Sequence, residues 1–302
     1  MNINITGASG FVGQNLIKYL SSSTHQIYPI NRDNLQTLNL NLQSGSVIVH
    51  LAGKAHDLRK APVEHEYYDV NLLLTKKLFD HFLHSEAKIF IFISSVKAAA
   101  DKVVNHKLDE NHECSPQTHY GKSKLLAEQY ILSKVMPAGK HFYILRPCMI
   151  HGPLNKGNLN LLFNVVRSGI PYPLAAFYNK RSFLSIENLC FVILELINQK
   201  TIVSGIYNVS DDETLSTNDV IRIFASTLGK KVRLLKVPKT LVKILANVGS
   251  LLNLPLNNER LEKLTESYIV DNEKIKRAIK KEFPVSAKAG LIKTAQSFQN
   301  LK

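Results

Sequence analysis

The sequence predicts an α/β fold: a doubly wound parallel sheet with a smaller C-terminal lobe. Three observations predict it. Short β-branched runs alternate with longer stretches of helical periodicity, a glycine-rich turn joins the first run to the first helical stretch, and this alternation breaks down after residue 150. Alternation of this kind builds a parallel sheet with helices on both faces, whose strands are apolar on consecutive positions.

Taken in order, Ile3–Thr6 reads as the first strand and Asn15–Ser21 as the body of the first helix. Gln26–Ile30 and Val47–Leu51 read as strands, and the connection from Asn31 to Ser46 is short enough that an abbreviated unit is expected there. Val70–Ser85 and Ser123–Val135 carry apolar residues at helical spacing, while Ile89–Ser94 and Phe142–Arg146 are strand-like. Residues 1–150 are therefore expected to form the sheet unit. Beyond them Pro147, Gly152, Pro153, Gly157, Pro171 and Pro173 punctuate loops. Residues 151–302 are expected to form mainly the smaller lobe, with some segments returning to the sheet. Ile206–Val209 reads as a strand there and Thr217–Leu228 as a helix. Leu241–Leu256 is the most apolar late stretch. Lys243, Asn247, Gly249, Asn253 and Pro255 interrupt it, which fits a buried or amphipathic helix better than a bilayer span of about 20 residues.

At 45% hydrophobic and 21% charged residues the composition is that of a globular protein. The opening Asn2–Thr6 run lacks a basic flank and a cleavable apolar segment, so no secretion leader is expected. Cys114, Cys148 and Cys190 form no CxxC pair and no ligand spacing, which points away from disulfides and zinc and toward a reducing cytoplasm. His81 and His84 read as surface histidines, and no metal is expected. The net charge of +14 is spread along the chain without an aromatic-interleaved basic motif. No nucleic-acid partner and no stable membrane insertion are expected, although the charge would help draw in a phosphorylated substrate.

The turn Thr6-Gly7-Ala8-Ser9-Gly10-Phe11-Val12-Gly13 lies between the first strand and the first helix. Glycines at 7, 10 and 13 permit a tight turn, close backbone approach and close helix–strand packing, and the helix N-terminus then offers N–H groups to a pyrophosphate. Gly7, Ser9, Gly10, Phe11, Val12 and Gly13 are therefore the candidate dinucleotide contacts. After the second strand stands Asn31-Arg32, where an acidic residue would otherwise accept the adenosine ribose hydroxyls. Asn31 removes the charge that would repel a 2′-phosphate and Arg32 is placed to pair with one, so NADP(H) is favoured and NAD(H) remains possible.

Tyr120 and Lys124 stand at i, i+4, on one face of a helix. A phenol titrates near ~10, and a neighbouring ammonium with a cationic nicotinamide would lower that value enough for proton exchange with a sugar hydroxyl. Tyr130 and Lys134 repeat the spacing. Ten residues along a helix turn about 280°, so both tyrosines cannot face one site. Ser94-Ser95, ending a strand upstream, selects Tyr120, because ligands bind at strand carboxyl ends in such sheets. Ser95 is the candidate partner of Tyr120 on the substrate oxygen.

With these residues assembled, the chain resembles the extended short-chain dehydrogenase/reductase superfamily, the nucleotide-sugar epimerase/dehydratase family. The resemblance implies a Rossmann-type coenzyme domain and a Ser–Tyr–Lys active site, which assigns Ser95, Tyr120 and Lys124 as catalytic. It implies coenzyme contacts at Leu51, Ala52 and Gly53, at Asn71, at Ser94 and at Pro147, with Tyr120 and Lys124 shared. On the substrate side it implies Lys54, the Asn158-Leu159 position, Arg181 on the nucleotide diphosphate, and Arg260. His151 stands where the family usually has Tyr.

Ser95-Val96-Lys97, Asn179–Ser182 and Ser210–Thr217 are similar to a bacterial subgroup of 4-keto reductases that make UDP-2-acetamido-6-deoxy sugars for surface polysaccharides. Close relatives of that subgroup are UDP-hexose 4-epimerases. The expectation is thus a reductase acting at C4 of a UDP-4-keto-6-deoxy-N-acetylhexosamine, in the cytoplasm and as a homodimer like its family. The alternative is a UDP-glucose or UDP-N-acetylglucosamine 4-epimerase. A non-catalytic NADP-binding regulator is the reading from a different class. Asn31 and Ala98-Ala99-Ala100 depart from the family pattern, and Val96-Lys97 stands where a 4,6-dehydratase needs an acid–base pair.

Overall fold

The computed structural model describes residues 1–38, 40, 42, 44–54, 63–103, 106–155, 157–252 and 257–299. The first part runs β1 (Asn2–Thr6), α1 (Phe11–Leu20), β2 (Gln26–Ile30), the short α2 (Arg32–Thr37) and β3 (Val47–His50). Then α3 (Glu64–Tyr68) passes through a π-helical turn (Asp69–Leu73) into α4 (Leu74–His84) and β4 (Ile89–Ile93). A 3₁₀ turn (Val96–Ala98) leads on to α5 (His119–Leu132) and β5 (His141–Pro147). The helix expected from Val70 therefore starts earlier and contains an extra-wide turn. The abbreviated unit expected between Asn31 and Ser46 is α2.

Six parallel strands lie in the order β2-β1-β3-β4-β5 and then β8 (Gly205–Val209), which returns from the later chain. Strand alternation divides the sheet's side chains between two cores. Val47, Val49, Ile89 and Ile91 face one side with Leu16 and Leu20 of α1 and with Leu189, Ile193 and Leu196 of α7 (Ile186–Asn198). Ile48, Phe90, Phe92 and Ile144 face the other with Leu78, Phe79 and Phe82 of α4 and Ile131 of α5. Each such side chain stabilises by about 1.5–3 kcal/mol when fully buried. The sheet order reverses beside β1, which opens a crevice at the strands' carboxyl ends.

The remaining elements build a lobe over that crevice. They are β6 (Met149–His151), α6 (Asn158–Arg167), β7 (Arg181–Ser185), β9 (Thr214–Leu215), α8 (Thr217–Thr227), α9 (Lys239–Leu251), α10 (Asn258–Thr265) and α12 (Ala287–Gln299), whereas α11 (Glu273–Ile279) packs on β8 and α7 and adds Ile275 and Ile279 to the sheet's core. β6, β7 and β9 form a small three-stranded sheet, and the lobe has its own core around Leu159, Phe163, Phe224 and Phe298. The apolar stretch from Leu241 is the amphipathic helix α9, of which Val242, Ala246 and Gly249 are buried. Among the described residues no helix is long and apolar enough to cross a membrane, and no cluster of His, Cys, Asp and Glu could hold a metal.

Candidate active site

The crevice begins at the glycine turn. Gly7 adopts φ +67°, which side-chain-bearing residues rarely occupy, and a Cβ there would meet the Ala52 nitrogen at 2.7 Å. A Cβ at Gly13 would meet the Gly7 carbonyl at 2.4 Å, so α1 packs directly on its own entry loop. Phe11 and Val12 turn toward the sheet core, which leaves the backbone of the turn and exposed Ser9 and Gly10 facing out. The N-terminus of α1 has no side-chain cap and no acidic residue in its first turn. Its free N–H groups and positive dipole end fit an anionic pyrophosphate.

Beneath the turn a buried hydrogen-bond chain ties three segments together. The Thr6 hydroxyl accepts the Ala52 N–H at 3.0 Å and donates to His50 Nδ1 at 2.7 Å. His50 Nε2 donates to the Thr75 hydroxyl at 2.9 Å, which in turn donates to the Asn71 carbonyl at 2.8 Å. These roles require a neutral imidazole protonated on Nε2. Burial, with Lys124 adding repulsion, lowers the His50 pKa to about 3. Asn71 completes the clamp: its side chain accepts the Lys54 N–H at 2.8 Å and donates to the Lys54 carbonyl at 3.1 Å and to Ser123 at 3.0 Å. Asn71 thus holds the segment after β3, and the Lys54 ammonium pairs with Glu66.

Ser95, Tyr120 and Lys124 come together beyond the ends of β3 and β4. Ser95 caps the 3₁₀ turn, accepting the Lys97 N–H at 3.2 Å, and its hydroxyl faces Tyr120. Lys124 reaches under Gly53 to donate to the Ile93 carbonyl at 2.8 Å, with its ammonium 4.7 Å from the centre of the Phe92 ring. Burial lowers the Lys124 pKa to about 8, partly opposed by Glu128. Burial also raises the Tyr120 pKa above 10.0, against the Ser95 hydrogen bond, and Tyr67 adds to the rise. Of the two cations expected to lower it, the lysine ammonium is turned to a backbone carbonyl, and desolvation outweighs the serine bond.

The second YxxxK pair is accounted for elsewhere. The Tyr130 hydroxyl donates to Asp80 at 2.6 Å and the Lys134 ammonium lies 3.4 Å from Asp80, stapling α5 to α4.

Several supporting residues are absent from the expected set. Asp101 accepts the Gln117 N–H at 2.6 Å and the Thr118 N–H at 3.1 Å, pinning the start of α5 to the segment that carries Ser95. Glu128, a further turn along from Tyr120 and Lys124, accepts from the Ser94 hydroxyl and pairs at 2.5 Å with fully buried Arg146. The hydroxyl of Ser94, a residue expected to contact the coenzyme, is bonded to Glu128. Pro147 is buried at the end of β5. Asn31 caps α2 by accepting the Asn34 N–H at 2.8 Å, and Arg32 is exposed.

On the lobe side, Arg181 at the head of β7 donates to the Lys263 carbonyl at 2.6 Å and lies 3.9 Å from Glu266. Burial lowers its pKa, with Glu266 opposing. Lys97 donates to the Asp101 carbonyl at 2.6 Å and stands 4.4 Å over the Tyr268 ring, close enough to Arg181 for the two charges to repel. Asn158 is exposed in the uncapped first turn of α6, whereas the Leu159 side chain is buried in the lobe core. The Arg260 side chain lies outside the described residues. His151 is fully buried, its Nδ1 2.9 Å from the Thr294 hydroxyl.

A serine and a tyrosine meeting at the carboxyl end of a parallel sheet, beside a glycine turn and a free helix N-terminus, are the working parts of a short-chain dehydrogenase/reductase, and the fold and this geometry put the protein in that class. The chain belongs to the NAD dependent epimerase/dehydratase family, whose model matches residues 3–210, and it is an NAD-dependent enzyme. It is similar to a UDP-glucose 4-epimerase of Vibrio cholerae, 31% identical over 98% of this chain and 95% of the relative. It is also similar to the N-acetyl-alpha-D-glucosaminyl-diphospho-ditrans,octacis-undecaprenol 4-epimerase of Escherichia coli O157:H7, 31% identical over 78% of this chain and 75% of the relative. Among solved structures, the UDP-N-acetylglucosamine 4-epimerase of Bacillus cereus superposes with a TM-score of 0.75 at 21% identity, covering 100% of this chain and 96% of the other. These relatives favour the epimerase alternative over the reductase that the sequence expectation put first.

Proposed function

We propose that this enzyme is a nucleotide-sugar 4-epimerase that inverts C4 of a UDP-hexose or UDP-N-acetylhexosamine. The observation that carries this reading is the facing Ser95–Tyr120 pair, with Lys124 one helical turn from Tyr120, in a chain 31% identical along nearly its whole length to a UDP-glucose 4-epimerase. When bound, NAD supplies a place for a hydride to leave C4 and to return from on the other face of the 4-keto sugar. Tyr120, as phenolate, takes the proton of the C4 hydroxyl and gives it back to the same oxygen, so no proton is consumed over the cycle. Ser95 accepts the Lys97 N–H and keeps its own proton for that oxygen. Lys124, bonded to the Ile93 carbonyl, stands one helical turn from Tyr120, and the charge that lowers the phenol's pKa would come from the nicotinamide of bound NAD. Arg181, with the α6 N-terminus at Asn158 and Leu159, takes the diphosphate, a fork geometry that suits phosphate oxygens; Lys54 and Arg260 are the further candidate substrate contacts. A homodimer belongs to the same reading, as does a division near residue 150 with β8 returning to the sheet.

The reductase reading keeps one observation, the absence of an acid at the end of β2. With exposed Arg32 there, one charge-assisted contact of about 1.5–3 kcal/mol would favour NADP(H) over NAD(H). The deciding experiment is turnover of the purified protein. Interconversion of UDP-sugars on protein-held NAD, with no coenzyme added, is expected. Oxidation of external NADPH only with a UDP-4-keto-6-deoxy-N-acetylhexosamine would overturn epimerisation in favour of reduction.

A further inference from the structure

Helix α9 has two apolar faces, and only one is packed. At about 100° per residue, Val242, Ala246 and Gly249 share a narrow stripe that is buried against the lobe core. Lys239, Lys243, Asn247 and Ser250 form a polar sector beside it. Leu241, Ile244, Leu245, Val248 and Leu251 fall in a third sector about 120° wide, which Leu252 extends. These side chains are exposed: Leu241 at 47%, Ile244 at 58%, Leu245 at 51%, Val248 at 42%, Leu251 at 82% and Leu252 at 64%. Single exposed leucines need no explanation, but a contiguous stripe along a whole helix marks an interaction surface.

The charge around the stripe says what kind of surface covers it. Between Asp219 and Glu259 the sequence contains no acidic residue. In that interval Lys230, Lys231, Arg233, Lys236, Lys239 and Lys243 are all exposed. A protein partner of mixed charge does not call for an apolar ridge in a stretch of chain whose charges are all positive. An anionic bilayer surface does, since headgroups neutralise the lysines while the ridge enters the acyl boundary.

We propose that α9 docks this enzyme, without spanning, on a membrane surface rich in anionic phospholipid. α10 follows α9, and its Lys263 carbonyl is the acceptor for Arg181. Docking through α9 therefore holds the substrate lobe at the lipid interface.

The test is flotation of the full-length protein with vesicles of phosphatidylethanolamine and phosphatidylglycerol, compared with vesicles of phosphatidylcholine alone. Binding to the anionic vesicles is expected to be about tenfold or more the stronger, and to fall as salt is raised. Ile244→Asp with Leu251→Asp changes only the solvent-facing sector. It is expected to reduce flotation about tenfold or more, with an unchanged circular dichroism spectrum and unchanged coenzyme binding. Lys239→Glu with Lys243→Glu should lower binding to anionic vesicles and leave the weak binding to phosphatidylcholine as it was. Equal flotation with both vesicle types, or flotation unaltered by either pair of substitutions, overturns the proposal. So does a solution oligomer that Ile244→Asp dissociates, because the stripe would then be covered by a second copy of the chain.

Discussion

Replacing Lys124 with Met should make the protein more stable and abolish its turnover. The Lys124 side chain is almost fully buried, and its pKa falls from 10.5 to about 8, burial being the cause and Glu128 the partial remedy. That fall corresponds to about 3 kcal/mol of penalty on holding the charge inside. The unfolded chain keeps this proton up to about pH 10.5 and the folded chain releases it near pH 8. Between these values the unfolded state binds more protons, so wild-type stability rises with pH; below about pH 8 the whole penalty applies. Methionine has nearly the same reach without the charge, but it leaves the Ile93 carbonyl without its lysine donor, a loss of about 1 kcal/mol. The expected balance is a gain of about 2 kcal/mol at pH 7. Urea unfolding of both proteins at pH 7 and pH 10 measures it, and the variant's advantage should disappear at the higher pH. A variant less stable than wild type at pH 7, with the same pH dependence, would refute the reasoning.

The two tyrosine motifs can be separated by substitution. Tyr120→Phe should bind coenzyme normally in a fluorescence titration and lose about 10²–10⁴ in turnover. Tyr130→Phe should lose only its bond to Asp80, about 1 kcal/mol of stability, and keep its rate; the opposite pattern would reassign the proton carrier. Glu128→Gln leaves Arg146 charged and buried without its counterion, and urea unfolding should register a loss of about 3–5 kcal/mol. In Gly121→Ala the new Cβ would lie 2.4 Å from the Lys97 carbonyl, so α5 must move away from the Ser95 segment. A fall in kcat is expected together with about 1–3 kcal/mol of destabilisation by thermal melting, and an unchanged kcat would show that the spacing of α5 is not critical.

What could be read from the sequence was local. The glycine turn imposes its demands within eight residues, and the rotation between Tyr120 and Tyr130 follows from helix geometry alone. The strands announced themselves through runs of apolar residues buried on both faces. What could not be read depends on contacts distant in the chain. Glu128 looks like any polar helix residue until Arg146 and Ser94 meet it. Asp101 looks like a loop acid until the backbone of Gln117 and Thr118 arrives. The direction of the Lys124 side chain was equally illegible, because spacing puts a lysine beside Tyr120 but does not show that the ammonium turns to the Ile93 carbonyl. The apolar content of α9 was plain from its periodicity, whereas the direction of its second stripe needed the packed lobe.

The wide turn at Asp69–Leu73 makes chain length here as consequential as residue identity. It lets one uninterrupted rod aim Asn71 at Lys54 and Ser123 while Leu78, Phe79 and Phe82 meet the sheet. Winding these same five residues as ordinary helix would turn one half by nearly one residue's step, about 100°, further against the other, forfeiting either the grip or the seating. Natural variants of this enzyme should therefore exchange side chains freely at exposed Leu73 yet show no insertion between Asp69 and Thr75.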